Sequence, residues 1–442
     1  MVTTEATIPA VPEERPSWLD RIFGSLAGLH PGEANTALLL ATNVFLLLGT
    51  YYLLKTVREA LILTEGGAAV KSYSSAGQAV LMLAVVPLYG RIASAVSRVR
   101  LITIVTLFFA SNLVLFALAG FAGMRVGVAF FLWLGVFNMM IISQLWSYAN
   151  DLYGEEQGKR IFPIIGLGSS LGAVLGAQIA GSLFENMNPY QVMLIAAVLL
   201  AASLGVTFVV NRQRCSVCPT NRSVEKKPIS GKGGFQLVFS DRYLLLIAGL
   251  TLLLNLVNTT GEFILGEFVV QEASLLPVAE RSQFVGAFYG NYFWWVNVIG
   301  VALQILVTPR LLKRFGAQGA LFILPVIALG GYSLLITVPT IALVKMVKIF
   351  ENATDYSIQN TAKQALFLAT SREAKYKAKT AIDTFFVRLG DMAQAGLVAG
   401  GLALGFGPAG FALVNLGFVA IWFVLVLLIL FEYRRRMATQ TS

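Results

Sequence analysis

Thiols and imidazoles are nearly missing from this 442-residue sequence, which holds two cysteines and one histidine, His30. That scarcity excludes a disulfide framework and leaves almost no metal-site chemistry. No metal and no cofactor are expected. Charge is scarce too: 13% of the residues are Asp, Glu, Lys or Arg, where soluble domains run near a quarter. Apolar residues take their place, at 57% of the chain with a mean hydropathy of +0.73. The chain therefore reads as an all-α protein of the lipid bilayer. Its length suits about a dozen spans of 20–25 residues with short loops. A net charge of +10 invites a nucleic-acid partner, but most of the cations sit between apolar runs. There they act as topology signals rather than a phosphate-binding face, and no nucleic acid is expected.

Apolar runs fall near 36–63, 69–94, 101–123, 126–150, 161–184 and 189–210, and again near 243–270, 283–307, 317–338, 340–368, 378–404 and 408–431. The expected organisation is a cytoplasmic amphipathic segment over 1–35, a six-helix bundle over 36–210 and a basic cytoplasmic linker over 211–241. A second six-helix bundle over 242–431 and a basic tail over 432–442 complete it. With both termini cytoplasmic, the inward segments hold 24 Lys and Arg, and the outward loops hold only Lys71, Arg125 and Arg281. That asymmetry fixes the orientation and requires an even number of spans. The expected home is the cell's inner (plasma) membrane, as a multi-pass monomer. Glu5, Glu13 and Glu14 precede any apolar run, so the first 30 residues do not read as a signal peptide. Cys215 and Cys218 form a lone CxxC in the linker, without the two further ligands of a zinc site. His30 lies outside the spans and the thiols lie in the linker, so no reactive constellation points to an enzyme.

Charges inside the runs carry the functional argument, because each costs about 2.5–3.5 kcal/mol at the bilayer centre on insertion scales. The first run holds Lys55, Arg58 and Glu59 at helical spacing, which places them on or beside one face. The tenth holds a polar stripe, Lys345, Lys348, Asn352, Asp355, Gln359 and Lys363, with Glu351 beside it. Such a stripe must face a bundle interior or a wet cavity, or neutralise itself through pairs such as Lys348–Asn352 and Lys348–Asp355. Asp383, Arg388 and Asp391 lie in the eleventh run. The seventh holds Asn255, Asn258 and Glu262, and its Gly261-Glu262 step is a possible helix break. Gln144, Trp146, Tyr148 and Asn150 close the fourth run as possible binding groups or belt residues. Gly168, Gly172 and Gly176 form a small-residue stripe on the fifth, for static packing or for a sliding interface.

Three stretches resemble the ATP/ADP translocase family of plastids and obligate intracellular bacteria. They are Tyr52-Leu-Leu-Lys-Thr-Val-Arg-Glu-Ala-Leu-Ile-Leu63, Gln144-Leu-Trp-Ser-Tyr-Ala-Asn150 with Lys159-Arg-Ile-Phe-Pro-Ile-Ile-Gly-Leu-Gly168, and Glu373-Ala-Lys-Tyr-Lys-Ala-Lys-Thr-Ala-Ile-Asp383. Their order extends the resemblance over nearly the whole chain, and it is nearest to a branch found in free-living bacteria. The resemblance implies a major-facilitator-like fold and nucleotide exchange, with Lys55, Arg58 and Lys379 as family cations. Two positions depart from the family pattern: Gln144 stands where it has an acid before Leu-Trp, and Asn258 where it has one in the seventh run. These departures put ATP/ADP exchange in doubt more than they do binding of a phosphorylated anion.

The expected function is secondary transport, by exchange or ion coupling, of a nucleotide or other phosphorylated or anionic metabolite. The expected substrate-binding residues are Lys55, Arg58, Gln144, Trp146, Asn258, Lys348, Asn352, Lys363 and Lys379. Glu59, Glu262, Glu351, Asp355, Asp383 and Arg388 are the expected coupling or gating groups. The alternative is a proton-coupled major-facilitator-type carrier of a non-nucleotide solute or lipid. Six cations against seven acids inside the spans show that the cavity as a whole is not positive, so attraction for an anion must be local.

Overall fold

The computed structural model describes residues 33–153, 155–214, 233–371 and 373–441. The expected N-terminal amphipathic segment, His30 and the CxxC pair lie outside the described residues. The first half contains α1 (Glu33–Glu65), α2 (Gly67–Ala95), α3 (Arg98–Phe121), α4 (Gly127–Leu152), α5 (Glu155–Phe184) and α6 (Pro189–Arg214). A short helix, α7 (Gly234–Ser240), falls within the range assigned to the linker. The second half opens with α8 (Arg242–Ser274) and α9 (Val278–Ala302), which runs through a π turn (Leu303–Val307) into α10 (Thr308–Ala320). Then come α11 (Ile323–Thr337), α12 (Ile341–Thr354), a π turn (Asp355–Gln359) and α13 (Asn360–Leu366). Further π turns (Ala374–Ala378 and Ile382–Phe386) flank α14 (Lys379–Ala381) before α15 (Val387–Ala403) and α16 (Pro408–Thr441).

Among the described residues, nine helices are long and apolar enough to cross a membrane: α1 to α6, α8, the α9–α10 rod and α16. The apolar runs near 317–338, 340–368 and 378–404 fall on shorter or interrupted helices. Three of the four π turns lie between residues 355 and 386, the stretch richest in charge within the second half. Such turns concentrate at functional sites. Helix α8 runs unbroken through Gly261, contrary to the possible break there. A Cβ at Gly261 would collide with the Tyr332 hydroxyl and stand 3.0 Å from the Lys348 ammonium, so this glycine makes room for two polar groups.

Short connections make successive helices antiparallel, so the halves can be compared end by end. Helix α1 packs most extensively against α5 and α6, and the main contact between halves is α5 against α9, joined by α2 against α15 and α1 against α9. The close approaches between halves cluster at the end that holds the α1–α2 turn. There Phe184 fits over Gly286, Gly290 abuts Gly181, and a Cβ at Gly266 would stand 3.0 Å from that of Ala68. Gln394 donates to the Ser72 hydroxyl at 3.0 Å across the same seam.

The stripe Gly168, Gly172 and Gly176 has a different partner. It faces Ala41, Phe45 and Gly49 of α1, inside the first half, where backbones meet closely. This is static packing, and the interface between halves uses Gly181, Gly286 and Gly290 instead. A valine at Gly176 would bring its Cβ to 2.6 Å from the Gly49 Cα. Gly176→Val should cost about 1–3 kcal/mol through overpacking and lower the thermal unfolding midpoint in detergent. Gly205→Ala, where nothing lies within 4 Å, should not lower it.

Candidate functional site

One residue, Gly66, separates α1 from α2, and Gly67 takes a φ of +77°, which glycine adopts readily. From the helix rise, Glu59 lies about 9 Å before the end of α1 and Lys71 about 6 Å into α2. The hairpin therefore returns Lys71 almost to the level of Glu59, and the Lys71 ammonium sits 2.7 Å from Glu59 Oε2. Glu59 also pairs with Arg58, whose Nε donates to Oε1 at 3.0 Å and whose guanidinium lies 4.8 Å from the centre of the Phe131 ring.

Lys71 extends the pairing across the seam, with its ammonium 3.8 Å from Glu262 of α8. Oε1 of Glu262 accepts from the Tyr292 hydroxyl and from Asn352 Nδ2, both at 2.8 Å, and lies 3.9 Å from the Lys348 ammonium. Lys348 donates to Glu351 at 2.9 Å and to the Asn258 side chain at 2.6 Å, and Tyr332 donates to Glu351 at 3.0 Å. Arg58, Glu59, Lys71, Glu262, Lys348 and Glu351 thus form one chain of alternating charge through α1, α2, α8 and α12. Glu59 and Lys348 are 1% exposed and Glu351 2%, so each charge depends on its neighbours rather than on water.

Lys55 stands apart. Among the described residues no carboxylate lies within ion-pair distance of it; its ammonium rests 4.1 Å from the centre of the Phe293 ring and 5.3 Å from that of Tyr52. Tyr52 is fixed in turn by donating to Asn297 at 2.9 Å. The first half thus presents Lys55, with Tyr52 of its own helix, against Phe293 of the second.

The remaining expected residues divide. Asn258 and Asn352 join the charged chain as polar partners. Lys363 pairs with Asp383 at 3.0 Å, and Arg388 with Asp391 at 3.0 Å, where Asn255 also donates to Asp391 at 2.8 Å. Lys379 lies 5.9 Å from the centre of the Phe367 ring. The Asp355 carboxylate makes no ion pair or hydrogen bond among the described residues, and Lys348 pairs with Glu351 and Asn258 rather than with Asp355 or Asn352. Gln144 does not reach the seam: it is buried within the first half, in a narrow pocket with Asn43, Thr106, Ser203 and Thr207. Trp146 meets the edge of Phe162 at 5.9 Å and is partly exposed.

Sequence reading missed Lys71, counted among the loop cations. The usable signal was the Gly66-Gly67 pair, which sets a tight hairpin and brings residues four places beyond it back beside α1.

The sequence profile of the Major Facilitator Superfamily matches residues 34–350. This chain belongs to that superfamily. The resemblance read from the three motifs is borne out by relatives. ADP,ATP carrier protein 1 of Chlamydia pneumoniae is 21% identical over 336 residues, covering 65% of this chain and 63% of that protein. ADP,ATP carrier protein 4 of Rickettsia bellii is 21% identical over 301 residues, covering 58% and 56%. These matches span less than two thirds of the relatives' length. The nucleoside transporter NupG superposes with a TM-score of 0.60 at 15% identity, over 91% of this chain and 99% of its own. A bacterial homologue of the iron transporter ferroportin, in an inward-facing state, reaches 0.63 at 14% identity, over 89% and 98%. At these identities the likeness concerns the fold.

In a major-facilitator chain the interface between six-helix halves is where ligand sites form, and the charged seam lies there. Removing one member of a buried pair costs about 3–5 kcal/mol because it strands the other. Lys71→Met should therefore lower the thermal unfolding midpoint in detergent more than the double variant Lys71→Met/Glu59→Gln. Equal losses in the two would show that the pair is not coupled.

Proposed function

We propose that the chain is a secondary transporter for a nucleotide or another phosphorylated or anionic metabolite, working by exchange or ion-coupled movement. The proposal includes twelve spans in two six-helix bundles within the bacterial inner membrane, with both termini cytoplasmic. The observation that carries the reading is Lys55: a cation with no carboxylate partner among the described residues, set on the rings of Phe293 and Tyr52. An ammonium held by aromatic faces gains about 0.5–2 kcal/mol, less than a charge-assisted hydrogen bond to an anion supplies in a dry site. An incoming anion therefore finds in Lys55 a cation that it need not take from a carboxylate, and the flanking rings offer faces to a base. The names of the chlamydial and rickettsial relatives support a nucleotide as the first ligand to try.

The test is ligand-induced thermal stabilisation of the full chain in detergent with nucleotides, sugar phosphates and small organic anions. Lys55→Ala should weaken binding of the stabilising anion by about 1.5–3 kcal/mol, about ten- to a hundredfold in Kd. Stabilisation that survives this change undiminished would sink the assignment.

A second reading, proton-coupled carriage of a non-nucleotide solute, is favoured by Asp355 on the π turn after α12, whose carboxylate has no ion pair among the described residues. Under that reading, uptake into proteoliposomes falls as pH rises on the entry side, and Asp355→Asn removes the pH dependence while leaving binding intact. Pairing of solute with counter-solute and no pH dependence in the wild type would favour exchange instead. Orientation has its own check. With the linker cytoplasmic, Cys215 and Cys218 should resist a membrane-impermeant maleimide in intact cells and react after permeabilisation.

A further inference from the structure

We infer that the seam selects a ring-bearing solute with a single net negative charge, such as a singly charged nucleotide ester, over multiply charged di- and triphosphates. This rests on the proposed anion site at Lys55. Among the described residues, the seam brings together four cations, Lys55, Arg58, Lys71 and Lys348, and three carboxylates, Glu59, Glu262 and Glu351. Each carboxylate already lies within 4 Å of a cation: Glu59 at 2.7 Å from Lys71, Glu351 at 2.9 Å from Lys348, and Glu262 at 3.8 Å from Lys71. The surplus is one positive charge, and Lys55 carries it.

The surroundings add little to that surplus. Lys363 and Arg388 are matched by Asp383 and Asp391. Lys345 donates to Asn291 at 2.7 Å and lies 4.7 Å from the Phe288 ring centre. Asp355, one turn past Glu351, carries a negative charge that offsets the positive charge of Lys345. A second phosphate charge would have to recruit Arg58, Lys71 or Lys348 from its carboxylate. Glu59 and Glu351 are 1% and 2% exposed, so neither has water to replace the lost partner. A triphosphate would ask this of several pairs at once. A monoanion asks it of none, because it takes Lys55 from a ring face rather than from an acid. The vacated face of Phe293, with Tyr52 edge-on at 6.1 Å and Tyr51 beyond it, is then open to a flat ring.

The experiment measures binding of a charge series on one ring in magnesium-free buffer: adenosine, the singly charged 3′,5′-cyclic monophosphate, the monophosphate, the diphosphate and the triphosphate. A second series without a base, benzoate, phenyl phosphate and phenyl diphosphate, runs alongside it. The expected result is tightest binding of the monoanion, at least tenfold tighter than the triphosphate, with the preference lost in Lys55→Gln. Glu262→Gln adds one positive charge to the seam and should move the optimum to the doubly charged monophosphate. Glu351→Gln should do the same, and serves where Glu262→Gln fails to fold. Tightest binding of the di- or triphosphate overturns the charge inference and leaves a nucleotide site standing, whereas tightest binding of uncharged adenosine overturns both. The same charge order in the base-free series, with no adenosine compound bound, retains the charge inference and overturns the nucleotide reading. Absence of binding in both series by the wild-type chain overturns both.

Discussion

The ionic contact between the halves, at the end that holds the α1–α2 turn, depends on Glu262 having cations on both sides. Its carboxylate stands between Lys71 of the first half and Lys348 of the second, 3.8 and 3.9 Å away, with hydrogen bonds from Tyr292 and Asn352 completing its shell. A carboxylate at that depth is tolerable only when surrounded in this way. Without it, Lys71 would face Glu59 alone, and Lys348 would share only Glu351 and Asn258. The ionic chain is therefore continuous through one residue, and the two halves are electrostatically joined there.

Glycines and aromatics bring the backbones close enough for that contact. Gly290 against Gly181 and Gly286 beneath Phe184 remove the side-chain thickness that would hold α5 from α9. Tyr292 and Phe293 project from the same helix, α9, one to Glu262 and the other to Lys55. The seam is thus a paired chain of charges beside Lys55 on an aromatic ring, and α9 touches both, through Tyr292 and Phe293.

Much of this was legible in the sequence, and what was missed has a physical reason. Lys55, Arg58 and Glu59 announced themselves because charges in an apolar run are costly. The polar stripe of the tenth run did the same, and Lys348 and Asn352 fell where a bundle interior would require. Partners were harder to read. Helical spacing says which residues share a face but not what stands across from it, so Lys348 was matched with Asp355 instead of with Glu351 and Asn258. Lys71 was hidden because positive-inside counting treats a cation near a predicted span end as a loop signal, whereas a one-residue connection carries it back beside α1. Gln144 illustrates the reverse. Its place in a motif suggested substrate contact, yet its face of α4 turns inward among α1, α3 and α6, and orientation around the helix axis is not written in a motif.

The one-residue joint at Gly66 has a mechanical meaning as well as a geometric one. Helices α1 and α2 are joined by that one residue, and the pair of Glu59 and Lys71 lies wholly within the first half. A displacement that parts the halves would leave that pair whole and would have to break Lys71 from Glu262, along with Tyr52 from Asn297 and Gln394 from Ser72. Within the chain of charges, the longer ion-pair contact is the one that spans the seam and the shorter one stays on its own side.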